Sequence, residues 1–177
     1  MPASESMDQL KAKIRNIPDF PKPGILFYDI TTLLRDGEGF GQAIDALASP
    51  FKGQAIEAVV GMESRGFIFG GALADRLGAG FVPVRKPGKL PAQCLRVSYD
   101  LEYGSETLEM HVDAIVRGQR VLIVDDVLAT GGTAKATVDL VREAGGIVHG
   151  VAVLMELSFL PGRATLGDVP LTALRTV

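Results

Sequence analysis

The sequence predicts an α/β fold with a mainly parallel central sheet flanked by helices. Two segments, residues 58–84 and 120–155, each show the order strand, helix, strand. Such a βαβ unit places its two strands parallel in one sheet. The apolar runs at residues 121–124 and 147–155 are rich in Val and Ile, which is typical of strands buried on both faces.

The composition favours a single globular domain over residues 1–177. Of the 177 residues, 47% are hydrophobic and 22% are charged, and the net charge is −3. This charge gives no general attraction to nucleic acid or anionic membranes, and no apolar run is long enough to span a bilayer. Cys94 is the single cysteine, which excludes an internal disulfide and fits a reducing compartment. We therefore expect a cytoplasmic protein with neither nucleic-acid nor membrane partners.

The first fifty residues predict two helices separated by an irregular segment. Ser6 and Gln9 form a candidate capping box for a first helix over residues 7–14. Three prolines within residues 17–28 indicate an ordered loop or a short extended arm. Apolar residues at helical spacing then predict a second helix, which Pro50 ends.

The following residues alternate between strand and helix patterns. Gly78 is placed as the C-terminal cap of one helix, and Gly145 with Gly146 ends another. The predicted elements are, in order, strand Ala58–Met62, helix 67–77, strand 81–84, a basic loop at 85–90, a hairpin of 97–101 with 107–110, strand 120–124, loop 125–133, helix 134–144 and strand 147–155. The last residues of the chain carry little signal.

One segment, VLIVDDVLATGGT at residues 121–133, predicts a phosphate-binding site. Ligands of open α/β sheets bind at the carboxyl ends of strands, where this loop is expected. Gly131 and Gly132 allow backbone amides to approach an oxyanion, and Thr130 and Thr133 add hydroxyl donors. The positive end of the following helix points to the same place.

Two neighbouring carboxylates, Asp125 and Asp126, precede this loop. They would repel a nearby phosphate, but each can accept hydrogen bonds from the hydroxyls of a neutral diol. A phosphate at one end and a diol at the other describe a ribose 5-phosphate. The alternative is a pair of solvated acids before a tight turn, but the whole string after an apolar strand favours the ligand site.

The same segment closely resembles the phosphoribosyl pyrophosphate signature of the type I phosphoribosyltransferases. Further segments resemble other parts of that family, in the family's order, so that the resemblance covers about residues 7–160. They are PDFPKPGILFYDI at 18–30, similar to the N-terminal base-binding segment, ESRGFIFG at 63–70, similar to the pyrophosphate loop, RKPGKLP at 85–91, similar to the mobile catalytic loop, and SYDLEYG at 98–104, similar to the segment with the catalytic glutamate.

This resemblance implies the type I phosphoribosyltransferase fold, with a small N-terminal base-binding hood at about residues 7–35 and a flexible catalytic loop and hairpin at 85–110. It also implies which residues bind phosphoribosyl pyrophosphate. These are Glu63, Ser64, Arg65, Asp125, Asp126, Ala129, Thr130, Gly131, Gly132 and Thr133. Glu63 departs from the family, in which aspartate is common at this position.

The resemblance further implies how the base is held and activated. Phe27 would lie beside the purine ring, and backbone groups of Leu26 and Tyr28 would bind its edge. Many relatives have arginine in place of Tyr28. Glu102 would be the catalytic acid–base residue; on periodicity alone it cannot be separated from Glu106 and Glu109. The closing loop would contribute the cations Arg85, Lys86 and Lys89.

The implied activity joins adenine to the phosphoribosyl group of phosphoribosyl pyrophosphate, a reaction of purine salvage. Its products are AMP and diphosphate. Mg²⁺ would act as the cofactor through the substrate, without direct protein ligands, and a homodimer is implied by the resemblance alone. Transfer to xanthine or hypoxanthine is the alternative activity. A nucleotide-sensing transcriptional regulator is the alternative from another class.

Overall fold

The computed structural model describes residues 10, 12–101 and 104–177. The chain forms two compact units that divide between Ala46 and Leu47. The predicted capping box at Ser6 and Gln9 lies outside the described residues, as does Glu102. Within the described ranges, no helix is both long and apolar enough to cross a membrane. The assignment of residues 1–177 to one domain stays a prediction.

The first unit contains an antiparallel strand pair where the sequence predicts a loop or extended arm. Phe27 stands opposite Ile17 in this pair. The pair and the helices that follow it are β1 (Arg15–Pro18), β2 (Leu26–Asp29), α1 (Thr31–Leu34) and α2 (Gly37–Ala48). The second predicted helix is confirmed as α2, and Pro50 lies in the 3₁₀ turn Ser49–Phe51 that follows it.

The second unit contains a five-stranded sheet with the strand order β4–β3–β7–β8–β9, in which every neighbouring pair is parallel. A separate antiparallel hairpin consists of β5 and β6. The bounds are β3 (Ala58–Met62), α3 (Gly66–Leu77), β4 (Gly80–Val84), β5 (Cys94–Asp100), β6 (Ser105–His111), β7 (Arg120–Leu128), α4 (Gly132–Glu143), β8 (Ile147–Glu156), α5 (Gly162–Leu166) and β9 (Leu171–Thr176). The predicted α/β class with a mainly parallel sheet is confirmed.

The core of this unit surrounds the central strand β7. Residues 121–124 are fully buried because β3 and β8 flank the strand and helices cover it. Val138 and Leu140 of α4 belong to the same buried cluster as Leu108 and Met110 of the hairpin. The hairpin is therefore held against α4, the helix that follows the predicted phosphate site.

The predicted boundary at the end of β7 is wrong. The strand continues to Leu128, because Asp125 pairs with Val153 and Val127 pairs with Met155 of β8. The predicted loop 125–133 therefore shrinks to residues 129–131, and α4 begins at Gly132 instead of residue 134. Asp125 and Asp126 consequently stand on a rigid strand.

Three other features differ from the sequence prediction. The hairpin strands are longer than predicted, and the first of them begins at Cys94 instead of residue 97. The helix α5 and the edge strand β9 were not predicted. Both are short, and β9 has a mixed sequence, Leu-Thr-Ala-Leu-Arg-Thr, with neither a continuous apolar run nor clean alternation.

Candidate active site

The candidate site lies at the carboxyl ends of β3 and β7. These strands are neighbours, and the sheet extends away from them in opposite directions, toward β4 on one side and β8 on the other. Open α/β sheets bind ligands in the crevice at such a switch point. A cleft of about 590 Å³ occupies this position, and it is lined by Glu63, Ser64, Arg65, Asp125, Asp126, Val127, Ala129 and Thr133.

A smaller pocket of about 90 Å³ lies inside the turn before α4. We call residues 129–133 the phosphate loop. Gly131 has φ +87° and immediately precedes the helix, so amides of the first helical turn are left without intrahelical acceptors. These amides and the positive helix end suit an oxyanion. The structure thus brings together all five predicted residues of this loop.

The helix α5 supports the phosphate loop from the side. The hydroxyl of Thr165 donates to the carbonyl oxygen of Thr130 at 2.8 Å. A Cβ added to Gly131 would lie 2.8 Å from the carbonyl oxygen of Gly162 and 2.9 Å from Cβ of Thr165. Sequence reasoning missed these contacts because the two segments are distant in the chain.

The acidic pair lies between the phosphate loop and residues 63–65. Asp126 is 4% exposed, and its Oδ2 lies 2.7 Å from Nε of Arg65. Its backbone N–H donates to Oδ1 of Asp125 at 2.8 Å. Burial, followed by the charge of Asp126, raises the pKa of Asp125 well above its usual value. One carboxylate is thus paired with an arginine, while burial and the neighbouring charge disfavour the ionised form of the other.

Glu63 connects the end of β3 to the basic loop, residues 85–90. One guanidinium nitrogen of Arg85 donates to Glu63 at 3.1 Å, and the backbone N–H of Lys86 donates to the same carboxylate. Burial acts to raise the pKa of Glu63, but the hydrogen bonds from Lys86 and Arg85 outweigh it and lower the pKa. The peptide bond between Glu63 and Ser64 is cis.

A second glutamate holds the same loop from the hairpin. Glu109 is 1% exposed, and its carboxylate accepts the backbone N–H of Gly88 at 3.1 Å and lies 2.7 Å from Nε of Arg96. Its backbone exchanges two hydrogen bonds with Arg85, of 3.0 and 2.7 Å. The basic loop is therefore anchored at its first residue and at Gly88, whereas Lys89 is exposed.

Tyr99 and Glu106 of the hairpin also reach the site. Tyr99 donates to Glu106 at 2.8 Å and lies 3.0 Å from Oγ1 of Thr133. A Cβ on Gly132 would approach the Tyr99 ring to 3.0 Å, so the ring covers the start of α4. Tyr99 and Glu106 stand directly opposite each other in the hairpin, so only a prediction of the hairpin register could have paired them from the sequence.

The residues predicted to bind the base lie in the first unit, on β2. The rings of Phe27 and Phe20 meet edge to face, with centroids 5.1 Å apart. Leu26 is exposed, and Tyr28 pairs with Asn16 across the strand pair. Their assigned roles stay predictions, as does that of Glu102 outside the described residues.

The chain is similar to known proteins both in sequence and in fold. Residues 31–159 match the model of the phosphoribosyl transferase domain family. The chain is 61% identical to the adenine phosphoribosyltransferase of Acidobacterium capsulatum over 171 residues, which are 97% of this chain and 94% of the relative. The crystal structure of adenine phosphoribosyltransferase from Rhodothermus marinus superposes with a TM-score of 0.93 at 56% identity, covering 98% of this chain and 99% of that one.

A second similar structure was determined with bound ligands. It is the adenine phosphoribosyltransferase of Saccharomyces cerevisiae in complex with adenine and an imino-altritol bisphosphate. Its TM-score is 0.92 at 42% identity, and the match covers 97% of this chain and 99% of that one. By sequence and by fold, the chain therefore belongs to the adenine phosphoribosyltransferases of the phosphoribosyl transferase family.

Proposed function

We propose that this chain transfers the phosphoribosyl group of phosphoribosyl pyrophosphate to adenine. The bond from the anomeric carbon to diphosphate breaks, a bond to a ring nitrogen of adenine forms, and AMP and diphosphate leave. One observation carries the proposal: the cleft that contains the acidic pair also reaches Ala129 and Thr133 of the phosphate loop, and the smaller pocket lies inside that loop. This spacing suits a ribose 5-phosphate, and the named activity of close relatives supports the same reaction.

The phosphate loop binds the 5′-phosphate in this proposal. Its residues Ala129, Thr130, Gly131, Gly132 and Thr133 supply amides, hydroxyls and the positive end of α4. Asp125 and Asp126 accept hydrogen bonds from the two ribose hydroxyls. Their position on the rigid strand β7 fixes the sugar relative to the phosphate.

The diphosphate leaving group binds beside Ser64 and Arg65. Charge that develops on it is stabilised by cations placed in advance, which Arg85, Lys86 and Lys89 of the basic loop provide after closure. In the observed arrangement Glu63 holds Arg85 and the Lys86 backbone. Release of those contacts is therefore part of loop closure in this proposal.

Mg²⁺ is proposed to enter with the substrate. The described residues contain no group of three or more His, Cys, Asp or Glu side chains that could hold a metal ion. Asp126 is paired with Arg65 and Glu63 with Arg85, which supports an ion that would be held by the substrate instead of by these carboxylates. When bound, the ion neutralises charge on the leaving diphosphate. EDTA should stop turnover without lowering the unfolding temperature of the ligand-free protein.

The base is proposed to bind against Phe27, with backbone groups of Leu26 and Tyr28 at its edge. Fixed backbone donors and acceptors distinguish the exocyclic amine of adenine from the carbonyl of hypoxanthine. Glu102 takes the ring proton that adenine loses as the new bond forms. We also propose that the enzyme is a homodimer in the cytoplasm; sedimentation of the purified protein tests the dimer.

One experiment tests the proposed function directly. The protein is incubated with phosphoribosyl pyrophosphate, Mg²⁺ and one purine at a time, and the nucleotide formed is identified. An unpaired buried polar group costs about 1–3 kcal/mol, and lone-pair repulsion increases the discrimination. Adenine should thus exceed hypoxanthine, guanine and xanthine by at least about a hundredfold in kcat/KM. Comparable rates with hypoxanthine or xanthine would move the assignment to that base.

A further inference from the structure

Four side chains link the basic loop to the phosphate loop. Nζ of Lys86 lies 3.4 Å from Oε1 of Glu106, and the hydroxyl of Tyr99 lies 2.8 Å from Oε2 of the same carboxylate. That hydroxyl is also 3.0 Å from Oγ1 of Thr133. Glu106 therefore contacts Lys86 directly and Thr133 through Tyr99, although it belongs to neither loop.

The direction of these hydrogen bonds follows from the chemistry of the carboxylate. The hydrogen bond from Tyr99 lowers the pKa of Glu106, with Lys86 acting in the same direction, so the carboxylate is ionised at neutral pH. An ionised carboxylate only accepts, so the single hydrogen of the Tyr99 hydroxyl points to Glu106. At the remaining contact Thr133 must then be the donor. Its hydroxyl hydrogen therefore points to Tyr99.

We propose that Glu106 is a place-holding anion: its carboxylate binds Lys86 directly and holds the Thr133 hydroxyl through Tyr99. The anionic groups of the substrate then bind Lys86 and Thr133 in its place. This inference rests on the proposed function, because it needs a substrate with a phosphate at one end and diphosphate at the other. The diphosphate must draw Lys86 away from Glu106. The 5′-phosphate must turn the Thr133 hydroxyl away from Tyr99. Glu106 is thus a positioning residue that lowers the affinity for both ends of the substrate.

A neighbouring residue pair in the hairpin shows how the proposed role of Glu106 can be distinguished from a role in holding the two strands together. The neighbouring cross-strand pair, Ser98 and Thr107, is joined by a hydroxyl–hydroxyl hydrogen bond of 2.8 Å. That pair holds the same two strands together without a carboxylate. A purely structural Glu106 would make binding weaker when it is replaced, whereas a place-holding anion makes it tighter.

The central variant is Glu106→Gln, which keeps the size of the side chain and removes its charge. Its amide group can donate to Tyr99, so that Tyr99 can donate to Thr133 and Thr133 to phosphate, in one aligned series. Binding of magnesium pyrophosphate and of AMP is measured separately by calorimetry. Both dissociation constants should fall about two- to fivefold, the range measured for exposed ion pairs.

Two variants serve as controls: one removes the same charge elsewhere in the protein, and the other changes a neighbouring residue of the hairpin. Glu143→Gln removes one negative charge at the far end of α4, where the side chain is exposed. Thr107→Val removes the neighbouring cross-strand hydrogen bond and keeps the branched shape. Both controls should bind each ligand as the wild type does.

Double variants separate the two parts of the proposal, the pyrophosphate arm through Lys86 and the AMP arm through Tyr99 and Thr133. In a Lys86→Met background, Glu106→Gln should no longer tighten pyrophosphate binding, but should still tighten AMP binding. In a Tyr99→Phe background the reverse is expected, because the route to Thr133 is broken while Lys86 remains. The difference between single and double variants isolates each pairwise interaction.

Weaker binding of either ligand to Glu106→Gln, or a gain equalled by Glu143→Gln, overturns the proposal. If Glu106→Gln does not fold, Glu106→Ala tests the pyrophosphate arm, since it also frees Lys86. The binding measurements need no turnover, so they stand apart from the reaction itself. Failure of the wild type to make AMP from adenine would instead reject the proposed function.

Discussion

Nε of Arg65 lies 2.7 Å from Oδ2 of Asp126 and joins the segment after β3 to the acidic pair on β7. The two partners differ in exposure: the Asp126 side chain is 6% exposed and that of Arg65 is 44% exposed. The arginine therefore neutralises a buried charge from the solvent side of the cleft. It can approach a bound diphosphate without leaving the aspartate, because its guanidinium has several donors.

Arg65→Gln should destabilise the ligand-free protein. The substitution leaves the buried Asp126 carboxylate without its cation, and such an unsatisfied group costs about 1–3 kcal/mol or more. The free energy of unfolding in urea measures the loss. Arg142→Gln is the matched control, because Arg142 and Asp168 form an exposed pair at 4.0 Å, expected to contribute less than about 1 kcal/mol. Equal losses in the two variants would contradict this account of Arg65.

Asp125→Asn should raise the unfolding temperature and lower activity at the same time. The pKa of Asp125 is raised above its usual 3.8, first by burial and then by Asp126, so its ionised form destabilises the fold. The stability gain should be absent below about pH 4, should grow as the pH rises from there toward the raised pKa, and should stay constant above it. Loss of a charge-assisted hydrogen bond to ribose, worth about 1.5–3 kcal/mol, should reduce kcat/KM by about one to two orders of magnitude.

Thermal unfolding across a pH series tests the expected gain in stability of Asp125→Asn, and steady-state kinetics test its expected loss of activity. Asp125→Asn with wild-type kinetics for both phosphoribosyl pyrophosphate and AMP would remove Asp125 from the ribose site. A lower unfolding temperature at neutral pH would contradict the destabilising charge.

Gly131→Ala should raise the KM for phosphoribosyl pyrophosphate. Gly131 has φ +87°, and a methyl group there would lie 2.8 Å from the carbonyl oxygen of Gly162. The left-handed backbone costs about 1–3 kcal/mol for other residues, so the phosphate loop must shift. Gly71→Ala in α3 is the control, because open space surrounds that position and alanine should stabilise the helix by about 0.5–1 kcal/mol. An unchanged KM in Gly131→Ala would show that the loop tolerates the methyl group.

Glu102→Gln should lower kcat by about two orders of magnitude, because general acid–base assistance is typically worth 10²–10⁴-fold. The amide keeps the size of the side chain and removes the base. Calorimetric binding of phosphoribosyl pyrophosphate should stay close to that of the wild type. Glu109→Gln is the comparison: Glu109 anchors Gly88, so its loss should disturb the basic loop and affect binding as well. A normal kcat in Glu102→Gln would reject the catalytic assignment.

The sequence predicts those parts of the site whose residues are close along the chain. The acidic pair directly follows the apolar residues 121–124 and the phosphate loop comes directly after the same strand, so the βαβ rule alone brings them together. The support that Thr165 gives to Thr130 depends on α5, for which the sequence carries no pattern. The extension of β7 to Leu128 depends on its pairing with β8, which overrides the turn signal of the two aspartates. The spacing of residues along the chain does not predict tertiary pairing of this kind.

The adjacency of β3 and β7 also has a consequence for folding. β3 ends at Met62 and β7 begins at Arg120, so the cleft forms only after the chain between them has been closed into a loop. The contacts of β7 with α4 and β8 are local and can form first, whereas pairing with β3 is a slow, non-local step. Until it occurs, the apolar edge at residues 121–124 is open to other chains. Refolding yield should therefore fall as protein concentration rises, and activity should return later than helical signal.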